Sequence, residues 1–440
     1  MSQLSFQRNI PIRYEVDVFV AGGGPAGVAA AVTASREGAK VFLAEAQSCL
    51  GGMGTSGMVP VFMQFSDGIN FLAAGIGEEI LTRLRDGGGT GPDDELAIKA
   101  EVLKRVYDQI VIDAGVNLSF QTQLIAVEAE DGKVSFAICS AKSGIFAVKA
   151  KIFIDCTGDG DLAAWAGAEY KKGDDNGRLM PGTLCSLWTG LNWDKIPPYH
   201  QRNHLKNLEK AFKEKIFTVE DRHLSGIIHV GSSTGGGNVG HTFGVDGTDE
   251  RTVTKALVWA RKSLVEYQTY YGKFIPGFEN MELAATGSLL GIRETRRITG
   301  DYVLSLEDFK AQAVFGDEIG RYCYEIDIHP LTSGKENFQR FQKETTSYRY
   351  SEGQSYGIPY RILTPVKLQN VFVAGRCVSA DRYIQSSIRT MPGCYITGQA
   401  VGMAAALISQ MSQPGNVRNI AIGRLQQKLK SIGAYLPNAS

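Results

Sequence analysis

Glycines 22, 24 and 27, in the run Gly22-Gly23-Gly24-Pro25-Ala26-Gly27, have the spacing of a turn that cradles a pyrophosphate. The first glycine of such a run permits a tight strand-to-helix turn. The second lets the phosphates approach the backbone, and the third allows close helix–strand packing. A helix opening at Pro25 and Ala26 aims its free N–H groups and positive dipole end at those phosphates. Glu45 closes the next apolar stretch, just before Ala46. A carboxylate there accepts hydrogen bonds from a ribose diol and repels a 2′-phosphate. Together these residues describe a dinucleotide site. A second match, Gly235-Gly236-Gly237-Asn238-Val239-Gly240, is followed by His241-Thr242-Phe243-Gly244, which has no helix pattern. It reads as a turn or a loop on the substrate side, so a nicotinamide nucleotide has no Rossmann domain of its own here.

Redox chemistry on a bound cofactor needs a group that takes a proton and cations that fix the substrate. His329, in Asp327-Ile328-His329-Pro330, is the first candidate for the acid/base, because imidazole titrates near neutral pH. A hydrogen-bonded structural role is the alternative, and His241 is the second candidate. Arg293, Arg296, Arg297 and Arg389 carry guanidinium forks suited to a carboxylate, a phosphate or a cofactor carbonyl. Simple ion pairs to Glu294 or Asp301 are the competing reading. Tyr383 is a further possible donor. Cys377 and Cys394 have no partner at CxxC spacing, so a disulfide relay is not expected.

Composition narrows the classes. The 7 cysteines are scattered and the 6 histidines form no HExxH, so no metal site, iron–sulfur cluster or structural zinc is expected. Lys+Arg and Asp+Glu balance at 46 each, which gives no field for nucleic acid. Met1 to Arg13 lacks an apolar leader core, and no apolar run approaches the ~18 residues of a membrane span. Dispersed thiols in such a chain point to a cytoplasmic protein that does not bind a membrane.

The elements that must position these residues follow from patterning. Asp17 to Ala21 and Lys40 to Glu45 read as strands around an alanine-rich helix from Pro25 to Glu37. Apolar spacing predicts a helix from Leu96 to Ala114, and alternation predicts a β-meander from Val116 to Asp155 that ends in a buried strand. Charged stretches (Lys206 to Arg222), a helix over Thr252 to Tyr270 and many turns mark a different texture from about 170 to 355. Leu368 to Ala374 is again a buried strand. Met391-Pro392-Gly393 then opens a helix of small residues whose Gly398 and Gly402 permit close backbone approach. Its N-terminus suits negative charge.

Three segments carry a resemblance. Cys49-Leu50-Gly51-Gly52-Met53-Gly54-Thr55-Ser56-Gly57 resembles the GGxGT loop of two-domain FAD oxidoreductases of the glutathione-reductase-like fold. That implies Gly52, Met53, Gly54 and Thr55 lie along the flavin and its phosphates. Asp155-Cys156-Thr157-Gly158-Asp159-Gly160-Asp161 resembles their turn beside the adenosine half, which implicates Thr157, Gly158 and Asp161, with Leu124. Asn370-Val371-Phe372-Val373-Ala374-Gly375-Arg376 resembles the late motif that reaches the ribityl chain, so Gly375 and Arg376 join the set. Arg389, Pro392 and Gly393 complete it at the helix facing the flavin.

The nearest family resemblance is to the FAD-dependent oxidoreductases that include relatives of the flavin-carrying subunit of heterodisulfide reductase, without that branch's clustered cysteines. It implies an α/β fold: a Rossmann-like FAD-binding domain with a parallel sheet and β-meander (residues 1–165 and 356–440) and an inserted α+β substrate domain (166–355). The implied cofactor is FAD. The implied activity is hydride transfer from a small organic substrate to flavin N5. A flavin electron-transfer component with a redox partner, or a protein whose flavin is structural or regulatory, are the alternatives.

Overall fold

The computed structural model describes residue 4 and residues 7–345, 348–413 and 415–439; the remaining N-terminal residues, part of the expected leaderless stretch, lie outside that description. The chain opens with β1 (Ile12–Ala21), α1 (Pro25–Arg36) and β2 (Val41–Ala44). Helices α2 (Ile76–Asp86) and α3 (Ala100–Asp113) lead to β3 (Asn117–Ser119) and to the hairpin strands β4 (Gln123–Glu130), β5 (Lys133–Ala141) and β6 (Gly144–Asp155). The short α4 (Asp161–Trp165) follows.

A second region contains β7 (Tyr170–Lys172), β8 (Ser186–Thr189), α5 (His204–Lys213), β9 (Leu224–Gly231), β10 (Thr234–Val239), α6 (Glu250–Phe274), β11 (Glu282–Thr286) and β12 (Arg296–Ile298). Then come α7 (Leu306–Lys310), β13 (Glu318–Tyr322), α8 (Lys335–Thr345), β14 (Tyr356–Pro359), β15 (Val371–Val373), α9 (Arg382–Ile388), α10 (Met391–Ser409) and α11 (Ile422–Ser431).

The main sheet runs β3-β2-β1-β6-β5-β4, with β15 also paired to β6. Strands β3, β2, β1, β6 and β15 are mutually parallel, and β5 and β4 fold back antiparallel as the meander. Strand β1 is buried on both faces, which is why it reads as a continuous apolar run. The pleat divides its side chains: Val18 and Val20 enter one core, while Phe19 and Ala21 enter the other. The first core lies under α1 and α10. The second is aromatic, with Phe42, Phe146 and Phe153 against the meander. Register is fixed by pairs such as Val18 with Val41 and Ile152, and Val371 with Phe153. Asn370, fully buried, locks β15 in place through hydrogen bonds with both backbone groups of Val134 and with the Lys151 carbonyl.

Alanine and glycine at the α1–α10 crossing bring the two backbones together. A Cβ at Gly398 would stand 2.3 Å from the Ala26 carbonyl oxygen, and one at Gly402 equally close to that of Ala30. Helix α10 is the one helix among the described residues long and apolar enough to cross a membrane, and all of it is buried within this protein. The expectation that no run of that length exists is corrected here; small residues lower the apparent hydropathy of the stretch.

The four-stranded sheet β11-β8-β10-β9 carries a third core with α6, built on Trp188, Leu264, Tyr270, Tyr271 and Phe278. Residues 304–328 pack instead with the first core, through Leu304, Phe309, Ile319 and Tyr322. Two local expectations change. The helix expected from Leu96 begins at Ala100, because Leu96 to Lys99 pair with Phe62, Pro60 and Gly89. The second glycine run is strand β10 rather than a turn: Gly236 lies against Pro60, where a Cβ would meet the ring at 2.2 Å. Glycines have weak strand propensity, so alternation could not reveal it.

Candidate active site

One continuous cavity of about 600 Å³ runs from the β1–α1 turn to the second sheet. Its first end is the dinucleotide turn. Gly22 (φ +91°) sits so close to the strand β6 exit that a Cβ would be 2.6 Å from the Cys156 carbonyl, and a Cβ at Gly27 would strike the Gly22 carbonyl. Gly24, by contrast, faces open space at the N-terminus of α1, where Pro25 starts the helix. That combination leaves room for a pyrophosphate against free helix N–H groups. Glu45 is buried and accepts hydrogen bonds from the Gly23 and Gln47 backbones, both at 2.6 Å. Burial pushes its carboxyl up, against the lowering effect of those N–H donors. Each oxygen keeps a lone pair for a ribose hydroxyl.

Ala46, Gly52, Met53, Leu124, Thr157, Gly158, Asp161, Gly375 and Arg376 also line this cavity. Gly27, Gly54, Thr55, Pro392 and Gly393 do not line it. Gly54 packs against Met391 and Leu103, Thr55 Oγ1 donates to the Leu50 carbonyl, and Gly393 lies against the Ile388 carbonyl. The Asp155 turn is held internally. Asp155, fully buried and pushed up to about 6 by that burial, accepts from Thr157 N and Oγ1 and from Ala163 N. Arg376 is fixed by Asp159 at 2.8 Å and by Thr295 Oγ1.

At the other end the cavity is lined by His223, Arg293, Tyr324, Asp327, His329 and Arg389. These come from β9's leading loop, the segment after β11, the segment after β13 and the α9–α10 junction. His241 stands directly behind His329. Its Nε2 is 2.9 Å from His329 Nδ1, and its Nδ1 is 3.1 Å from Asp221 Oδ1. His329 Nε2 lies 3.3 Å from Asp327 Oδ1, and Asp327 Oδ2 accepts from Arg389 at 2.7 Å. A chain Asp221–His241–His329–Asp327–Arg389 therefore crosses this end of the site.

Hydrogen bonding and charge set the protonation along that chain. If both carboxylates are ionised and every contact holds one hydrogen, three hydrogens occupy four ring nitrogens, and the pair carries one positive charge. Burial first, then Arg293, push His329 well below the usual imidazole range. His223 is lowered to about 4, again by burial and then by His241. Burial alone would raise Asp221, but His241 outweighs it and holds the carboxyl low.

Arg293 is buried and makes no ion pair among the described residues. Its Nη1 donates to the Pro181 carbonyl and to Thr183 Oγ1, and burial, then the neighbouring Arg389, pull it down to about 10. Arg389 Nε is buried without a hydrogen-bond partner. Arg296 and Arg297 turn away: the first pairs with Asp161, the second with Glu294. Tyr383 is partly exposed and does not line the cavity. Cys394 and Cys156 line it near Gly375, and all seven cysteines are free and buried.

Sequence reasoning missed His223, Asp221 and Tyr324. The histidines at 223, 241 and 329 meet only because β9, β10 and the β13 exit converge, and no spacing along the chain encodes that. A signal did exist for Asp327, two residues before His329 in the motif already singled out.

A model of the FAD dependent oxidoreductase family matches residues 17–429. A search of curated proteins found no match. Among solved structures, a geranylgeranyl bacteriochlorophyll reductase-like protein from Thermoplasma acidophilum shares 13% identity at a TM-score of 0.50, with 95% of this chain and 83% of that one covered. A myxobacterial FAD-dependent halogenase, CndH, shares 15% identity at 0.43, covering 95% and 78%. The p-nitrophenol 4-monooxygenase PnpA from Pseudomonas putida shares 10% at 0.43, covering 94% and 84%. The first of these likenesses bears on the fold alone.

Proposed function

The chain belongs to the FAD dependent oxidoreductase family, and from that premise we propose that it is a dehydrogenase of a small organic substrate bearing an anionic group. The cofactor is FAD. Gly22, Gly24 and the N-terminus of α1 would hold its pyrophosphate, Glu45 the adenosine ribose, and Gly52, Met53, Gly375 and the start of α10 the flavin half. Bound there, FAD supplies a two-electron acceptor for a hydride from a substrate C–H bond.

The observation that carries the reading is Arg293: a buried guanidinium with no carboxylate ion pair among the described residues, on the wall of the same cavity as the dinucleotide turn. Leaving such a charge unpaired is costly, and a substrate carboxylate or phosphate satisfies it. Arg389, its Nε free and its Nη2 anchored on Asp327, is the second arm. His329 then does the proton work. With one hydrogen fewer on the histidine pair, His329 Nε2 is bare and can accept a proton, although burial and then Arg293 disfavour the charged ring. A hydroxyl proton released as the C–H bond breaks is taken at that nitrogen, where Asp327 at 3.3 Å stabilises the charge. Oxidation of an alcohol carbon to a carbonyl thus delivers one hydride to the cofactor and one proton to the chain.

In this reading, the glutathione-reductase-like plan assigns residues 1–165 and 356–440 to the FAD unit and 166–355 to the substrate side. The test is anaerobic: the FAD-loaded protein is mixed with 2-hydroxy acids, sugar phosphates and neutral alcohols of matched size, and the flavin absorbance is followed. Bleaching by an anionic member and not by its neutral analogue is expected. Bleaching by none of them, or by neutral and anionic members alike, would overturn it.

A further inference from the structure

His223, His241 and His329 present ring nitrogens that all lie within 4.8 Å of one another, beside the cavity. Their ring centroids form a near-equilateral triangle, with sides of 4.6, 5.1 and 5.2 Å. Two of the three are oriented from behind by carboxylates. Asp221 receives His241 Nδ1, and Asp327 faces His329 Nε2. Asp221 also accepts the backbone N–H groups of His223 and His241, so one buried side chain positions two of the three histidines.

The consequence concerns the inner contact. With their hydrogens turned outward to the carboxylates, His241 Nε2 and His329 Nδ1 point lone pairs at each other across 2.9 Å. Neutral lone pairs repel, so that position calls for a cation. One proton satisfies it, and so does a metal ion. Imidazoles held by carboxylates on their far nitrogens are the usual way proteins orient metal-binding histidines.

We propose that His223, His241 and His329 form a three-histidine site for one divalent first-row transition metal, with an open coordination position toward the substrate cavity. Nitrogens about 2.0–2.1 Å from a tetrahedral ion stand roughly 3.3 Å apart, so the His241–His329 pair opens slightly and His223 closes by about 1.5 Å or less. Imidazole ligands suit zinc, iron, cobalt and nickel. The charges around the site permit the ion. Asp221 and Asp327 offset Arg293 and Arg389. Its open position gives a substrate oxygen a Lewis-acidic contact at the end of the cavity where Arg293 and Arg389 stand. The site is argued from ligand geometry and holds whether or not the chain oxidises an alcohol.

The test uses the FAD-loaded, tag-free full chain, freed of metals with chelator, and Zn²⁺ or Co²⁺ as the probe. Calorimetry should give one ion per chain. Co²⁺ should give the intense visible bands of a low-coordinate site. Asp221→Asn should weaken binding about 10–100-fold, and His223→Gln more, with the flavin absorbance of the metal-free protein unchanged. Should a variant fail to fold, the parent alone decides through its melting temperature, which must rise with Zn²⁺. No stoichiometric binding by the parent, an aqueous-type Co²⁺ spectrum, or equal affinity in His223→Gln would overturn the site.

Discussion

Replacing Gly398 by alanine tests whether the α1–α10 contact sets the dinucleotide turn. The new Cβ would lie 2.3 Å from the Ala26 carbonyl oxygen and 2.9 Å from its Cα and carbonyl carbon. An ordinary contact needs about 3.4 Å, so the helices must separate locally by about 1 Å, because nothing here is a flexible side-chain end. Overpacking of this kind costs about 1–3 kcal/mol. Alanine in a helix recovers about 0.5–1 kcal/mol over glycine, which leaves a net loss of at most about 2.5 kcal/mol. In a protein this size that corresponds to a melting decrease of at most about 3 °C.

The second readout is sharper, because Ala26 is the residue after Pro25 in the first turn of α1. A displaced α1 N-terminus should lower FAD affinity about tenfold or more, measured by fluorescence as the cofactor is titrated into apoprotein. Gly423→Ala is the internal control. Gly423 is exposed in α11 with no atom within 4 Å of a new Cβ, so the same chemical change should stabilise by up to about 1 kcal/mol and leave FAD binding unaltered. If Gly398→Ala also stabilises and keeps parental FAD affinity, the packing argument is wrong.

Glu45→Ala should weaken FAD retention about 10–100-fold, the loss of charge-assisted hydrogen bonds to a ribose diol; a variant that keeps its flavin through dialysis as the parent does contradicts the assignment. His329→Asn should leave FAD bound and slow flavin reduction by the bleaching substrate by ~10²-fold or more in stopped flow, and an unchanged rate removes His329 from the proton step. His204 is half-buried against Tyr199 with both ring nitrogens unpartnered, and burial, then Arg202, lower it to about 4. Its folded value lies below its unfolded one, so the stability it gives is present above about pH 6.5 and is lost as pH falls toward 4. Discounted for its exposure, that amounts to about 1 kcal/mol. His204→Phe should flatten this acid limb in denaturant titrations between pH 7 and 4, and an unaltered limb would assign the loss elsewhere.

The cofactor half of the site is legible in the sequence because its determinants are local. Gly22, Gly24 and Glu45 act through a turn and a strand end whose geometry the spacing dictates. The parallel strands are legible because burial on both faces makes β1, β6 and β15 read as apolar runs. The substrate half is legible only in fragments. His329 and Arg293 are visible as residue types, yet their partners Asp221, His241 and Arg389 arrive from segments far apart in the chain. Strand β10 escapes its pattern because its glycines serve close packing, Gly236 against Pro60 and Gly237 against Ser186 and Trp188, and close packing leaves no periodic trace. Arg296 and Arg297 look equivalent to Arg293, and only their ion pairs distinguish them.

The position of β15 and α10 has a consequence for how the protein comes to exist. The wall opposite the dinucleotide turn comes from Gly375, Arg376, Thr390 and Met391, some 350 residues after Gly22. While the chain emerges from the ribosome, β1 can pair with β2 and β6, but the sheet waits for β15 and α1 exposes its alanine face until α10 arrives. The cavity can therefore be completed only after α10 is made, by closing some 350 residues of intervening chain. Until then the small-residue face of α1 is an exposed apolar surface, and the arrival of α10 decides how long it stays so.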